Sequence, residues 1–154
     1  MLKIEEMETL ITDTLNQVTG LTTVDIHVGN IEDALTGSMK LPAALVVYKG
    51  AKANLQTEGG LELLYNVDFS FTVFVIAKGV SDPRRNGKKD TKVGVKTLLE
   101  DIRGILNGLQ QDSATLIWEE ESLEVMTKTG IAVYSQHYRC REALTAKRGQ
   151  RPTA

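Results

Sequence analysis

Cys140 is the only cysteine in this 154-residue chain. A single thiol excludes an intrachain disulfide and any cysteine-based metal cluster, and it suits a reducing compartment. Aromatic residues are few, with one Trp, four Tyr and three Phe, so the core has to be assembled mainly from aliphatic side chains. No run approaches the ~20 apolar residues of a membrane span. Neither charge is in excess: 18 basic residues stand against 20 acidic ones, a net charge of −2, so the chain as a whole has no bulk attraction to a polyanion. The opening MLKIEEMETLITDTL sets acids among its apolar residues and lacks the uninterrupted apolar stretch of a secretory signal. The expectation is a soluble protein used where it is made.

What the sequence does have is one long alternation. From Leu64 to Ala77, Tyr65, Val67, Phe69, Phe71, Val73 and Val75 occupy one parity and Asn66, Asp68, Ser70 and Thr72 the other, until Phe74 and Ile76 turn the far end apolar on both. A period of two predicts a half-buried strand, because successive side chains point to opposite faces. At about 3.3 Å per residue it runs roughly 40 Å, well beyond the common strand of 5–6 residues. Part of such a strand is expected to reach past its own core toward another subunit.

The remaining elements follow from spacing and punctuation. Lys3 to Val18 reads as an amphipathic helix through Ile4, Met7, Ile11, Leu15 and Val18, stopped at Gly20. Thr23 to Val28 alternates like a short strand, IEDALTG from Ile31 suits one helical turn, and AALVVY after Pro42 suits a buried strand. Leu41–Lys49 and Leu61–Ala77 then form an antiparallel hairpin, with 50–60 as a polar connection. Lys78 to Asp90, KGVSDPRRNGKKD, has the Gly, Pro, Asn-Gly and basic residues of an exposed, mobile loop. Asp90 or Thr91 can cap a helix from Lys92 to Asn107, whose Val95, Leu98, Leu99, Ile102 and Leu106 make an apolar stripe. Gly94 and Gly104 are read as lying inside that helix, each costing about 1 kcal/mol against Ala. Ala114–Trp118, Leu123–Met126 and Ile131–Arg141 are further strand candidates. The fold class expected is α+β: a mainly antiparallel sheet with a long β-hairpin, covered by two principal helices. One domain spans 1–144, followed by a flexible basic tail over 145–154.

Chemistry is sparse. Asp25 and His27 share a predicted strand face, where they read as two solvated polar residues. His137 and Cys140 fall on opposite faces of one strand, which separates thiol from imidazole. Glu119, Glu120 and Glu121 read as a solvated acidic turn, and neither phosphate-binding glycine fingerprint occurs. No constellation supplies a nucleophile, a base and a stabiliser together, so neither a catalytic nor a metal site is assigned. Charge is nevertheless polarised. Lys78–Lys92 carries six basic residues against Asp82 and Asp90, a local charge of +4, and residues 1–33 carry −6. Opposite patches on one protomer can steer head-to-tail association, which makes Arg84, Arg85, Lys88 and Lys89 the candidate interface residues. The rival use of that charge is a nucleic-acid surface of Lys78, Arg84, Arg85, Lys88, Lys89, Lys147, Arg148 and Arg151, although no aromatics are interleaved to stack on bases.

The run LPAALVVYKG, the long alternating strand, the basic loop, the glycine-containing helix and the closing GIAVYSQHY resemble the tail terminator proteins of Mu-like contractile-tailed bacteriophages and prophages. The resemblance covers residues 1 to about 144 and rests on element order rather than on a catalytic signature. It implies a non-enzymatic virion protein without a cofactor, forming a hexameric ring at the head-proximal end of the tail tube. Such a ring stops tube polymerisation and presents a docking surface to the head. The implied partners are further copies of the chain, the tail tube, the sheath and the head–tail connector. The implied location is the host cytoplasm during assembly and then the virion tail. A head–tail connector or tail-completion protein shares the same element order and stays open as the alternative.

Overall fold

The alternation that dominates the sequence becomes the central strand of the fold. A computed structural model describes residues 2–57, 62–78, 94–127 and 130–147. The elements are α1 (Ile4–Leu15), β1 (Thr23–Ile26), α2 (Ile31–Leu35), β2 (Ala43–Thr57), β3 (Glu62–Lys78), α3 (Val95–Leu106), β4 (Gln110–Gln111), β5 (Ala114–Met126) and β6 (Ile131–Lys147). They form an α+β fold in which six strands lie in the order β1-β2-β3-β6-β5-β4. Every neighbouring pair is antiparallel except β1 and β2.

β3 pairs with β2 from Ile76↔Ala43 to Leu64↔Thr57, and with β6 over its whole length from Glu62↔Lys147 to Lys78↔Ile131. Its unusual length is therefore matched on both sides within its own chain. The segment 50–60, expected as a connection, is largely strand, because β2 continues to Thr57 past a bulge between Tyr48 and Gly50. Gly50 sits there at φ 121°, a backbone region that β-branched and bulky residues avoid.

The two parities of β3 serve two cores. Phe69, Phe71, Val73 and Val75 pack with Ala44 and Val46 of β2, Leu116 of β5 and Tyr138 and Cys140 of β6 beneath α1 and α3. The helices contribute Met7, Ile11 and Leu15, and Leu98, Ile102 and Leu106, all fully buried. That spacing of four is why each helix forms here, since each hides one apolar stripe on the sheet. Phe74 and Ile76, of the other parity, join Ala43, Leu45, Val47 and Val133 in a smaller cluster under Ile31, Ala34 and Leu35 of α2. Asn30 caps α2 by accepting the Glu32 amide at 3.0 Å.

Several boundaries differ from the sequence reading. Gly94 is the N-cap of α3 rather than an interior residue, so only Gly104 weakens the helix. Asp90 and Thr91, read as possible caps, lie outside the described residues. Ala114–Trp118 and Leu123–Met126 are one strand, β5, because a bulge between Trp118 and Glu120 absorbs the acidic run without breaking the pairing with β6. Glu119, Glu120 and Glu121 are thus strand residues, and the expected turn is absent. β6 likewise continues past Arg141 to Lys147, three residues into the segment read as a tail.

Candidate functional site

The face of the sheet away from α1 and α3 carries a polar seam. Alternation in β6 places Ser135, His137, Arg139 and Arg141 on that face, opposite Phe74, Thr72, Ser70 and Asp68 of β3. Thr72 Oγ lies 2.9 Å from His137 Nδ1, and Ser135 Oγ lies 3.3 Å from His137 Nε2. Ser135 donates to Glu124 Oε1 at 2.5 Å, and Ser122 donates to the same oxygen at 2.8 Å. These hydroxyls, Ser135 first, hold the Glu124 carboxyl below the usual carboxylate range against partial desolvation. Farther along, Arg141 clamps Asp68 through two bonds while Arg139 lies between Asp68 and Glu119.

A serine beside a histidine and a glutamate invites comparison with a hydrolytic triad, and the geometry rejects it. Ser135 is fully buried, its proton is directed at Glu124, and the second nitrogen of His137 meets a threonine rather than a carboxylate. No substrate carbonyl can reach the hydroxyl, and no acid orients the imidazole as base. The seam satisfies polar groups inside a two-sided sheet.

On the helix face, Gln136 plays the corresponding part. Its amide donates to the Leu99 carbonyl of α3 at 2.9 Å and to Glu121 at 2.7 Å, and its oxygen accepts the Tyr138 hydroxyl at 2.7 Å. Arg103 stacks over Trp118, 4.7 Å from the ring centroid, and lies 3.7 Å from Glu121. These contacts tie α3 to β5 and β6. The sequence reading picks out His137 and Glu121 but not their partners, and the run of polar residues from Ser135 to His137 inside an otherwise apolar strand is the signal of both sets.

The residues singled out in the sequence are not brought into a reactive cluster. The Asp25 carboxylate accepts the Ile26 amide, and His27, just beyond the end of β1, places Nε2 2.9 Å from the Asn30 carbonyl. His137 and Cys140 lie on opposite faces, with Cys140 inside the core and burial pushing its thiol pKa up to about 12. Among the described residues, no group of three or more His, Cys, Asp or Glu is placed to hold a metal ion. No helix among them is long and apolar enough to cross a membrane. Arg84, Arg85, Lys88 and Lys89 lie outside the described residues, as do Arg148 and Arg151. Lys78 and Lys147 are the final residues of β3 and β6.

The far end of the three central strands is one of the places where large apolar side chains are exposed. There Leu55 of β2, Tyr65 of β3 and Leu144 of β6 stand side by side at one level of the sheet. Leu55 is 51% exposed and Leu64 40%. This end lies beyond the last residues that α1 and α3 cover, where Val67 is only partly buried.

Comparison with known proteins adds two findings. A chain in the solved virion of a native gene transfer agent particle has a similar fold, with a TM-score of 0.51 and 12% identity, covering 87% of this chain and 92% of that one. No curated protein matches. A family profile described as Bacteriophage Mu, Gp37 matches residues 3–142, which takes in every strand and helix from Ile4 to the middle of β6. The chain therefore belongs to the Bacteriophage Mu, Gp37 family.

Proposed function

We propose that this chain is a tail terminator of a Mu-like phage or prophage. It is a structural, tail-associated virion protein that closes into a ring on the tail tube, halts tube growth and offers the head a docking surface. The family match over residues 3–142 carries this reading. The fold shared with a chain of a gene transfer agent virion supports it at the level of architecture. Ser135 on one sheet face bonds Glu124, and Gln136 on the other bonds Tyr138 and the Leu99 carbonyl, which suits a rigid structural part rather than a reactive one. Ring closure needs a heterologous contact, and the charge separation between residues 1–33 and the basic run is one source of it. In this scheme Arg84, Arg85, Lys88 and Lys89 meet the acidic end of the neighbouring copy.

The test adds purified protein to polymerising tail tubes and measures tube length by electron microscopy. Saturating protein should arrest the tubes at a defined length, with density at one end. Uncontrolled growth would overturn the terminator role. Binding only to the completed head would favour a connector. Changing Arg84, Arg85, Lys88 and Lys89 to Glu should weaken assembly, and the wild-type ring should loosen as salt shortens the Debye length from about 10 Å at 0.1 M to 3 Å at 1 M.

A further inference from the structure

Strand pairing is uneven along the sheet. β1 covers the outer side of β2 only at Ala43–Val46, and β5 covers the outer side of β6 only as far as Cys140. Beyond those points β2, β3 and β6 continue as a three-stranded arm. Among the described residues, neither outer side of its end is paired with another strand. The two open edges are Ala53–Thr57 of β2 and Ala143–Ala146 of β6, which flank Leu63–Val67 of β3 at the same level.

We infer that the arm is a subunit joint: the β6 edge of one protomer pairs with the β2 edge of a second copy, extending one sheet from arm to arm. This rests on the ring reading above and supplies its contact surface. An open edge offers a row of amide N–H and carbonyl groups, and the partner that satisfies it is another extended backbone. Direction fits a second copy. β2 and β6 are both antiparallel to β3, so they run parallel to each other, and copies related by rotation alone can join β6 to β2 repeatedly without inversion. Level fits as well. Because Leu55, Tyr65 and Leu144 are in register, an unshifted joint sets Leu144 of one copy beside Leu55 of the next and makes one continuous apolar row.

Charge counts against the two other open edges. The outer side of β1 carries exposed Asp25, and β5 beyond Trp118 carries exposed Glu119, Glu120 and Glu124, so pairing those two edges brings like charges together. Ala53–Thr57 reads ANLQT and Ala143–Ala146 reads ALTA, with no charge and no proline, while one level nearer the core the joint sets Arg141 of one copy, clamped on its own Asp68, beside Lys52 of the next. Edges protected against association carry charge, proline or a bulge, and of these the β2 edge has only the irregularity between Leu55 and Thr57.

Cysteine cross-linking tests the joint on the full chain. Asn54 and Ala143 flank Asn66, so the joint brings Asn54 of one copy next to Ala143 of another. Neighbouring strands lie about 4.8 Å apart, within disulfide reach. The double variant Asn54→Cys, Ala143→Cys, oxidised both in solution and on tail tubes, should give a ladder of covalent multimers on a non-reducing gel. Each single variant should give none, and the buried native Cys140 should not contribute. In parallel, Leu55→Glu, an exposed change, should weaken self-association at least tenfold while the melting curve of the protein diluted to monomer stays unchanged. Dimers from Asn54→Cys alone would mean a two-fold joint and overturn the inference. Multimers by native mass spectrometry without cross-links would place the interface elsewhere and also overturn it. A monomeric protein that never cross-links, with or without tubes, overturns it too. Failure of the terminator reading is separable: a cross-linked ladder from a protein that leaves tube length unchanged sinks the role and keeps the joint. Tubes arrested by protein whose edges do not cross-link sink the joint and keep the role.

Discussion

Arg141 holds Asp68 in a two-pronged grip across β3 and β6, Nε donating to Oδ1 at 2.7 Å and Nη2 to Oδ2 at 2.9 Å. The Arg141 hydrogen bonds, partly offset by desolvation and reinforced by the charges of Arg141, Arg139 and Lys52, hold the Asp68 carboxyl below its usual range. A depressed carboxyl stabilises the fold fully above its unfolded value, near 4, and loses that contribution as pH falls through the folded value. Asp68→Asn should therefore be less stable than wild type at pH 7, with the gap narrowing as pH falls below about 4. Denaturant midpoints measured across that range check it, and a gap independent of pH would remove the ion pair as the cause.

Phe71 is fully buried between α1, α3 and the sheet, its ring 5.4 Å from that of Tyr48. Phe71→Ala should cost about 3–5 kcal/mol, the range for emptying an aromatic core site. Urea unfolding of the two proteins gives the difference directly. A shift near zero would place Phe71 outside the cooperative core.

Gln136 presents a different kind of loss. Gln136→Leu keeps the volume but strips the buried Tyr138 hydroxyl of its acceptor, and takes from the Leu99 carbonyl a second donor beyond the α3 ladder. Leaving that hydroxyl buried and unpaired should cost about 1–3 kcal/mol. The double change Gln136→Leu, Tyr138→Phe should recover part of it, and a cycle with no recovery would show the two side chains to be uncoupled.

Cys140 should resist modification in the native state. Its thiol is inside the core with a pKa pushed up to about 12, so almost no thiolate exists at neutral pH. A thiol-specific disulfide reagent at pH 8 should label it at the rate of unfolding, and fast labelling in native buffer would contradict the burial.

Much of this fold was legible because periodicity reports burial. Tyr65 to Val75 marked the sheet's helix face, and Phe74 and Ile76 announced a second buried patch before α2 was in view to cover it. The stripes of α1 and α3 were equally plain. What escaped were features set by neighbours. Gly50–Thr57 has too little hydrophobic alternation to read as strand and becomes one because β3 lies alongside to pair with it. The acidic run at Glu119 looked like a turn because a bulge shifts its parity, which no local signal betrays. The candidate interface Arg84, Arg85, Lys88 and Lys89 rests on charge alone and lies outside the described residues. The open end of the arm depends on where β1 and β5 stop, which is a property of the assembled sheet.

The unbroken pairing of β3 with β6 has an evolutionary consequence. Seventeen consecutive pairs run from Glu62↔Lys147 to Lys78↔Ile131 without a register shift, whereas β2 and β5 each carry two. One residue inserted into β3 would exchange the occupants of both cores at once, sending Asp68 and Ser70 under the helices and Phe69 and Phe71 out. Chains that share this fold should therefore differ in length at the bulges of β2 and β5 and in the connections, while β3 and β6 drift in composition but keep their count.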